Sequence, residues 1–98
     1  MRPIPRTIND ANVVCFTPID RRHRPTGACR HTVDGVPQPP FAALAVCRYG
    51  DDGGYYLLYC DEEWNAVTDT WHATVEDAIA QAEFEFEGTS ATWEQREG

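Results

Sequence analysis

At 98 residues, with 42% apolar and 11% aromatic side chains, the chain has the size and apolar content of one folded domain rather than of a chain disordered throughout. Its formal charge of −8 is lopsided: residues 51–98 hold 13 acids and one base, Arg96, while residues 1–50 hold seven Arg and three Asp, and Lys is absent. That balance excludes the acidic half as a direct grip on nucleic acid, which needs cationic neutralisation of phosphates, and favours either a basic partner or plain solvation.

Residues 1–11 read as an irregular N-terminus, where Pro3 and Pro5 fix φ and remove donors. No apolar run reaches the roughly 18–20 residues of a membrane span, and no signal-peptide stretch follows Met1-Arg2-Pro3-Ile4. A cytoplasmic protein without membrane contact is therefore expected. Residues 12–19 read as a short strand that Pro18 confines to a sheet edge or ends outright. Residues 20–40 read as a loop, with the basic run Arg21-Arg22-His23-Arg24 followed by Gly27, Gly35, Pro37, Pro39 and Pro40.

The 41–88 segment reads as a β-β-β-α core. Strands run over 41–49, 55–60 and 66–72, joined by Gly50-Asp51-Asp52-Gly53-Gly54 and by the acidic turn 61–65. Thr74 is a good helix N-cap, Glu76 and Asp77 suit the positive end of the helix dipole, and Gly88 suits the position after its end. Val75, Ala78, Ile79, Ala82 and Phe86 share the helical face that packs on the sheet, while Phe84 points the other way. The tail from Thr89 to Gly98 carries Trp93, which is expected to fold back onto the domain. The expectation is an α+β domain spanning residues 1–98: a small antiparallel sheet of three to four strands with one C-terminal helix on one face.

Pairing Tyr49 with Tyr55 and Asp61 with Ala66 sorts the side chains onto two faces, since a strand alternates. Leu44, Val46, Arg48, Tyr56, Leu58, Cys60, Val67, Asp69 and Trp71 fall on the face expected to receive the helix. Tyr49, Tyr55, Leu57, Tyr59, Thr70 and His72 fall on the other. Two readings compete evenly for that second face: it is covered by the N-terminal strand and the Arg-rich loop, or it is an exposed tyrosine patch of the kind enriched at interfaces.

Catalytic chemistry finds no constellation. The cysteines Cys15, Cys29, Cys47 and Cys60 include no Cys-x-x-Cys, and Cys29-Arg30-His31 is not a usual zinc-finger spacing. In this register Cys47 and Cys60 lie on opposite faces, which excludes a disulfide, and Cys60 and His72 lie at opposite ends of the sheet, too far apart for a dyad. Asp51, Asp52, Asp61, Glu62 and Glu63 lack the spacing of a calcium loop and read as turn chemistry or solvated charge. The basic run lacks neighbouring aromatics to stack bases, and its pairing with the acidic half is at least as good a reading as phosphate binding. No metal and no cofactor is expected.

Asp52-Gly53-Gly54-Tyr55, a strand, a turn, a further strand and then Thr74-Val75-Glu76-Asp77-Ala78 resemble the β-β-β-α pattern of HicB-type antitoxins over residues 46–84. The chain departs from that pattern at Asp61-Glu62-Glu63-Trp64-Asn65, where a Pro-Gly turn would stand, and no DNA-binding segment follows. The run from Tyr59 to Phe86 is also similar to small uncharacterised bacterial proteins of immunity type. Both resemblances imply a protein that neutralises a protein partner. The expected function is therefore a non-enzymatic inhibitor, of immunity or antitoxin type, binding a basic partner through Tyr49, Tyr55, Tyr59, Asp61, Glu62, Glu63 and Phe84. The alternatives are a phage-type inhibitor of a host defence complex, a metal or nucleic-acid module built on Cys29, His31 and the Arg-rich loop, and a homo-oligomeric structural module, for instance a homodimer, using Phe84 and the tyrosine face against itself.

Overall fold

The computed structural model describes residues 3–25, 32–33, 36–37, 41–50 and 53–95. Its strands are β1 (Thr7–Ile8), β2 (Ala11–Pro18), β3 (Arg24–Pro25), β4 (Thr32–Val33), β5 (Val36–Pro37), β6 (Ala43–Arg48), β7 (Tyr55–Cys60), β8 (Ala66–His72), β9 (Phe86–Glu87) and β10 (Glu94–Gln95). One helix, α1 (Val75–Glu85), and a 3-10 turn, Thr89–Ala91, complete the set. The main sheet is antiparallel in the order β1-β2-β6-β7-β8, with β10 joined to the outer side of β2. Sheet and helix are those of the expected α+β class, but this six-stranded sheet exceeds the three to four strands expected.

The extra strands come from both ends of the chain. Residues 1–11 are not wholly irregular: Ile8 pairs with Ala11 around Asn9 and Asp10, whose φ values are +50° and +67°. Two successive positive φ angles twist a two-residue hairpin the way strands twist, and Asn and Asp tolerate them best after Gly. The 20–40 segment contributes β3, which pairs Arg24 with Glu87 and Pro25 with Phe86, and the minimal β4–β5 hairpin.

Both faces of the sheet are covered in its central strands. Leu44 and Val46 of β6 and Leu57 and Tyr59 of β7 pack under Ala78, Ala82 and Phe86, with Val75, Ile79 and Trp93 at the margin. Ala43, Ala45, Cys47, Leu58 and Cys60 pack instead against Ile8, Ala11, Val13 and Trp64. Strand β2 serves both layers because its pairing with β6 shifts between Val13 and Cys15, so Val13 joins one layer and Cys15 the other.

The β6–β7 register differs by one residue from the expected one. Cys47 stands opposite Tyr56, whereas a Tyr49–Tyr55 pair would place it opposite Leu57. The β7–β8 ladder keeps the expected register from Tyr55–His72 to Tyr59–Thr68, then shifts at Cys60. The slip has a physical reason: every residue from Ala43 to Cys47 is buried, so β6 has no polar face to specify register. Its consequence is large. Tyr55, Leu57 and Tyr59 move to the helix side, Tyr56, Leu58 and Cys60 move away from it, and Cys47 and Cys60 share a face. Those two thiols are free, and they stand four ladder positions apart, since Cys60 pairs with Ala43.

Thr74 caps α1 as expected, its hydroxyl accepting the Asp77 N–H at 3.0 Å. The helix stops at Glu85, earlier than a Gly88 terminus implies, because Phe86 turns extended to pair with β3. Gly88, at φ +100°, instead opens the 3-10 turn. Glu83 caps that turn, accepting N–H bonds from Gly88 and Ser90 at 2.9 Å, which holds its carboxyl below the usual range. No helix among the described residues is long and apolar enough to cross a membrane.

Candidate interaction surface

The seven residues expected to form one contact surface are dispersed. Tyr59 is completely buried beneath α1, and its hydroxyl donates to the buried Glu85 carboxylate, which also accepts from Gln81 Nε2 at 3.1 Å. Tyr55 is half-buried on the same side, under the Arg48 guanidinium at 5.8 Å. Tyr49 lies on the opposite layer, and Phe84 projects from the outer side of α1, 65% exposed. An exposed tyrosine patch built from Tyr49, Tyr55 and Tyr59 is therefore not formed, because the register slip sends two of its members under the helix.

Asp61 is a turn-forming residue. Its Oδ1 accepts from Glu63 N–H at 2.8 Å and Asn65 N–H at 2.9 Å, and its Oδ2 accepts from Asn65 Nδ2 at 3.2 Å. The Asn65 N–H bond is the chief reason its carboxyl sits below the usual range. This brace holds Trp64 at φ +65°, which points its ring into the layer away from the helix, edge-on to Phe16 at 5.7 Å. Glu62 and Glu63 stand exposed at the tip.

A different surface emerges at the other end of β8. Val67, Asp69 and Trp71 alternate outward on the layer away from the helix, with Val67 36% and Trp71 56% exposed. Trp71 stands opposite Tyr56, and Tyr56 meets Tyr49 edge-to-face with centroids 5.3 Å apart. The three rings make a row across the sheet from its β8 edge. Burial first, then the neighbouring charges of Asp69 and Asp10, pushes the Tyr49 hydroxyl above its ordinary pKa. The Trp71 indole is seated on Gly54, where an added Cβ would lie 2.3 Å from Nε1; only glycine lets the ring lie down on the hairpin backbone. Among the described residues β8 pairs only with β7, so the row ends at an open strand edge.

The expected register puts Trp71, Val67 and Tyr56 on the helix side; the structure instead places Trp71 and Tyr56 on the layer away from it, with Trp71 and Val67 exposed. Val67 and Trp71, two large apolar residues on one face of a strand that reads Thr-Asp-Thr between them, were the available signal. From Trp71 to the turn at Asn65 is six residues, about 20 Å at ~3.3 Å per residue, so Glu62 and Glu63 belong to a separate patch.

His72, placed near the helix start by the sequence, is structural: Nδ1 meets Asp77 Oδ2 at 2.8 Å and Nε2 meets Thr70 Oγ1 at 2.7 Å. Cys60 lies by Ala66 and His72 by Tyr55, at opposite ends of the β7–β8 ladder. Burial pushes the Cys15 thiol to about 11 and the Cys47 and Cys60 thiols to about 12, which makes them poor nucleophiles. No group of three or more His, Cys, Asp or Glu among the described residues is arranged to hold a metal. Cys29, Arg30 and His31, and the aspartates 51 and 52, lie outside the described residues. No family model matches the chain, and no curated protein or solved structure similar to it was found.

Proposed function

We propose that the protein is a non-enzymatic inhibitor of immunity or antitoxin type that binds a basic protein partner through the Trp71–Tyr56–Tyr49 row. The observation that carries this reading is an exposed tryptophan beside Asp69 at an open strand edge, in a half of the chain with 13 acids and one base. Aromatic rings supply interface area at low entropic cost, and a guanidinium or ammonium group stacks on an indole face next to a carboxylate. The acidic surroundings steer a cationic partner and reject polyanions.

The test is capture of the partner from lysate of the source cell at low and high salt, with Trp71→Ala and Asp69→Arg beside the native chain. A basic protein held by the native chain, lost with Trp71→Ala, and bound more slowly and with weaker salt dependence by Asp69→Arg is the expected result. Undiminished capture by both variants would remove the surface from the account.

A further inference from the structure

The turn from Asp20 to Arg24 carries three of the chain's eight arginines, and it is held rigidly. The Asp20 carboxylate accepts the Arg22 N–H at 2.9 Å and clasps its guanidinium at 2.9 and 3.0 Å. The His23 side chain is fully buried, accepting the Asp20 N–H at Nδ1 and meeting Thr92 Oγ1 at 2.9 Å through Nε2. On the far side Arg24 is laddered to Glu87, and the Arg22 carbonyl packs so closely on Gly88 that a Cβ there would lie 2.8 Å away. Together Arg21, Arg22, His23, Arg24, Glu87 and Gly88 line a recess of about 340 Å³.

The charges of this recess are not cancelled as pairing with the acidic half would require. Arg22 is neutralised by Asp20 of its own turn. Among the described residues Arg21 and Arg24 have no ion-pair partner, and Glu87 is the single carboxylate in the lining. The lining itself, three guanidiniums against Glu87 and the clasping Asp20, thus keeps a net positive charge in a chain of net charge −8.

We infer that this recess binds a small oxyanion of the phosphate class, with Arg21 and Arg24 as its donors. The planar guanidinium matches two oxygens of a tetrahedral anion at once and stays charged at every relevant pH. Gly88 contributes only backbone to the lining, and its close contact with the Arg22 carbonyl fixes the turn that carries Arg21 and Arg24. Glu87 in the wall, and Glu83 and Glu94 in its surroundings, oppose an extended polyanion such as a nucleic-acid backbone and restrict the site to one compact anionic group.

Isothermal titration of the full chain with inorganic phosphate, and separately with phenyl phosphate, tests this at constant ionic strength against sodium chloride. Saturable one-to-one binding is expected, weakened about tenfold or more by Arg21→Gln with Arg24→Gln, as loss of charge-assisted bonds implies. The melting temperature of that variant should be unchanged in the absence of ligand. Glu87→Gln should tighten binding, since it removes the carboxylate facing the anion. Tighter binding of phenyl phosphate than of phosphate identifies a phosphate ester as the occupant, and equal binding identifies the free ion. The inference is overturned if neither ligand gives a saturable response beyond that of chloride, or if an oligonucleotide binds more tightly than both and the arginine substitutions abolish it.

Discussion

Replacing His23 by alanine should destabilise the protein by about 3–4 kcal/mol. Its imidazole is fully buried and uses both nitrogens, at 3.0 Å to the Asp20 N–H and 2.9 Å to Thr92 Oγ1. Since Nδ1 accepts a backbone N–H, the neutral ring carries its proton on Nε2 and donates it to Thr92. Thr92 Oγ1 in turn lies 2.6 Å from Thr17 Oγ1, so one side chain ties together β2, the arginine turn and the segment before β10. Two lost hydrogen bonds contribute about 1 kcal/mol each, and the emptied space adds about 1–2 kcal/mol. For a domain of this size the melting temperature should fall by about 10 °C or more. Urea denaturation at pH 7.5, followed by circular dichroism, measures the loss.

The same site makes a pH-dependent claim of defined sign. Burial lowers the His23 pKa below its ordinary 6.5, against the opposing pull of Asp20. Below that value the unfolded chain binds the proton that the folded chain still refuses, so stability falls on acidification. The contribution is complete above about pH 6.5 and is lost progressively as the pH falls toward the folded-state pKa. Asp20 is held at about 2, and Asp61 and Glu83 are also held low, so their contributions are lost only in the acid range of ordinary carboxylates. The stability difference between the native chain and His23→Gln should therefore narrow between pH 7.5 and 5. A difference that stays constant across that range, or an alanine variant within about 0.5 kcal/mol of the native chain, would refute the reasoning.

Tyr59→Phe removes the hydroxyl that donates to the buried Glu85 carboxylate, and should lower stability by about 1–3 kcal/mol in the same assay. A loss that small beside a fully retained fold would show that the ring, wedged against Phe41 at 5.3 Å, rather than the hydroxyl, sets the packing under α1. Cys15, Cys47 and Cys60, with thiols at about 11 to 12, should resist a thiol-directed reagent at pH 8 until urea unfolds the chain. Peptide mapping after labelling checks each one, and rapid native labelling of any of the three would contradict its burial.

The elements with a local chemical cause were legible in the sequence. Thr74 starts the helix because its hydroxyl replaces a missing backbone acceptor, and the apolar spacing of Val75, Ala78, Ile79 and Ala82 names the face that packs. The limits of β7 and β8 also stand as expected, bounded by the Gly53-Gly54 and Asp61–Asn65 turns. The β1–β2 hairpin has a local signal too, the Asn9-Asp10 pair, but Pro3 and Pro5 just before it give the segment the look of irregular chain.

What the sequence determined by itself was the inventory: a sheet, a capped helix, an acidic half, and an arginine-rich turn whose charges need a counterpart. Which side chains share a face follows instead from packing between distant segments. A strand with apolar residues on both sides, such as Ala43–Cys47, pairs equally well in two registers as far as alternation is concerned. The choice falls to the fit of Leu44, Val46, Leu57 and Tyr59 beneath α1 and of the small residues Ala43, Ala45 and Cys47 beneath β1, β2 and Trp64. That fit is a property of chain segments remote in sequence, and it turns Tyr59 into core while leaving Trp71 at the surface.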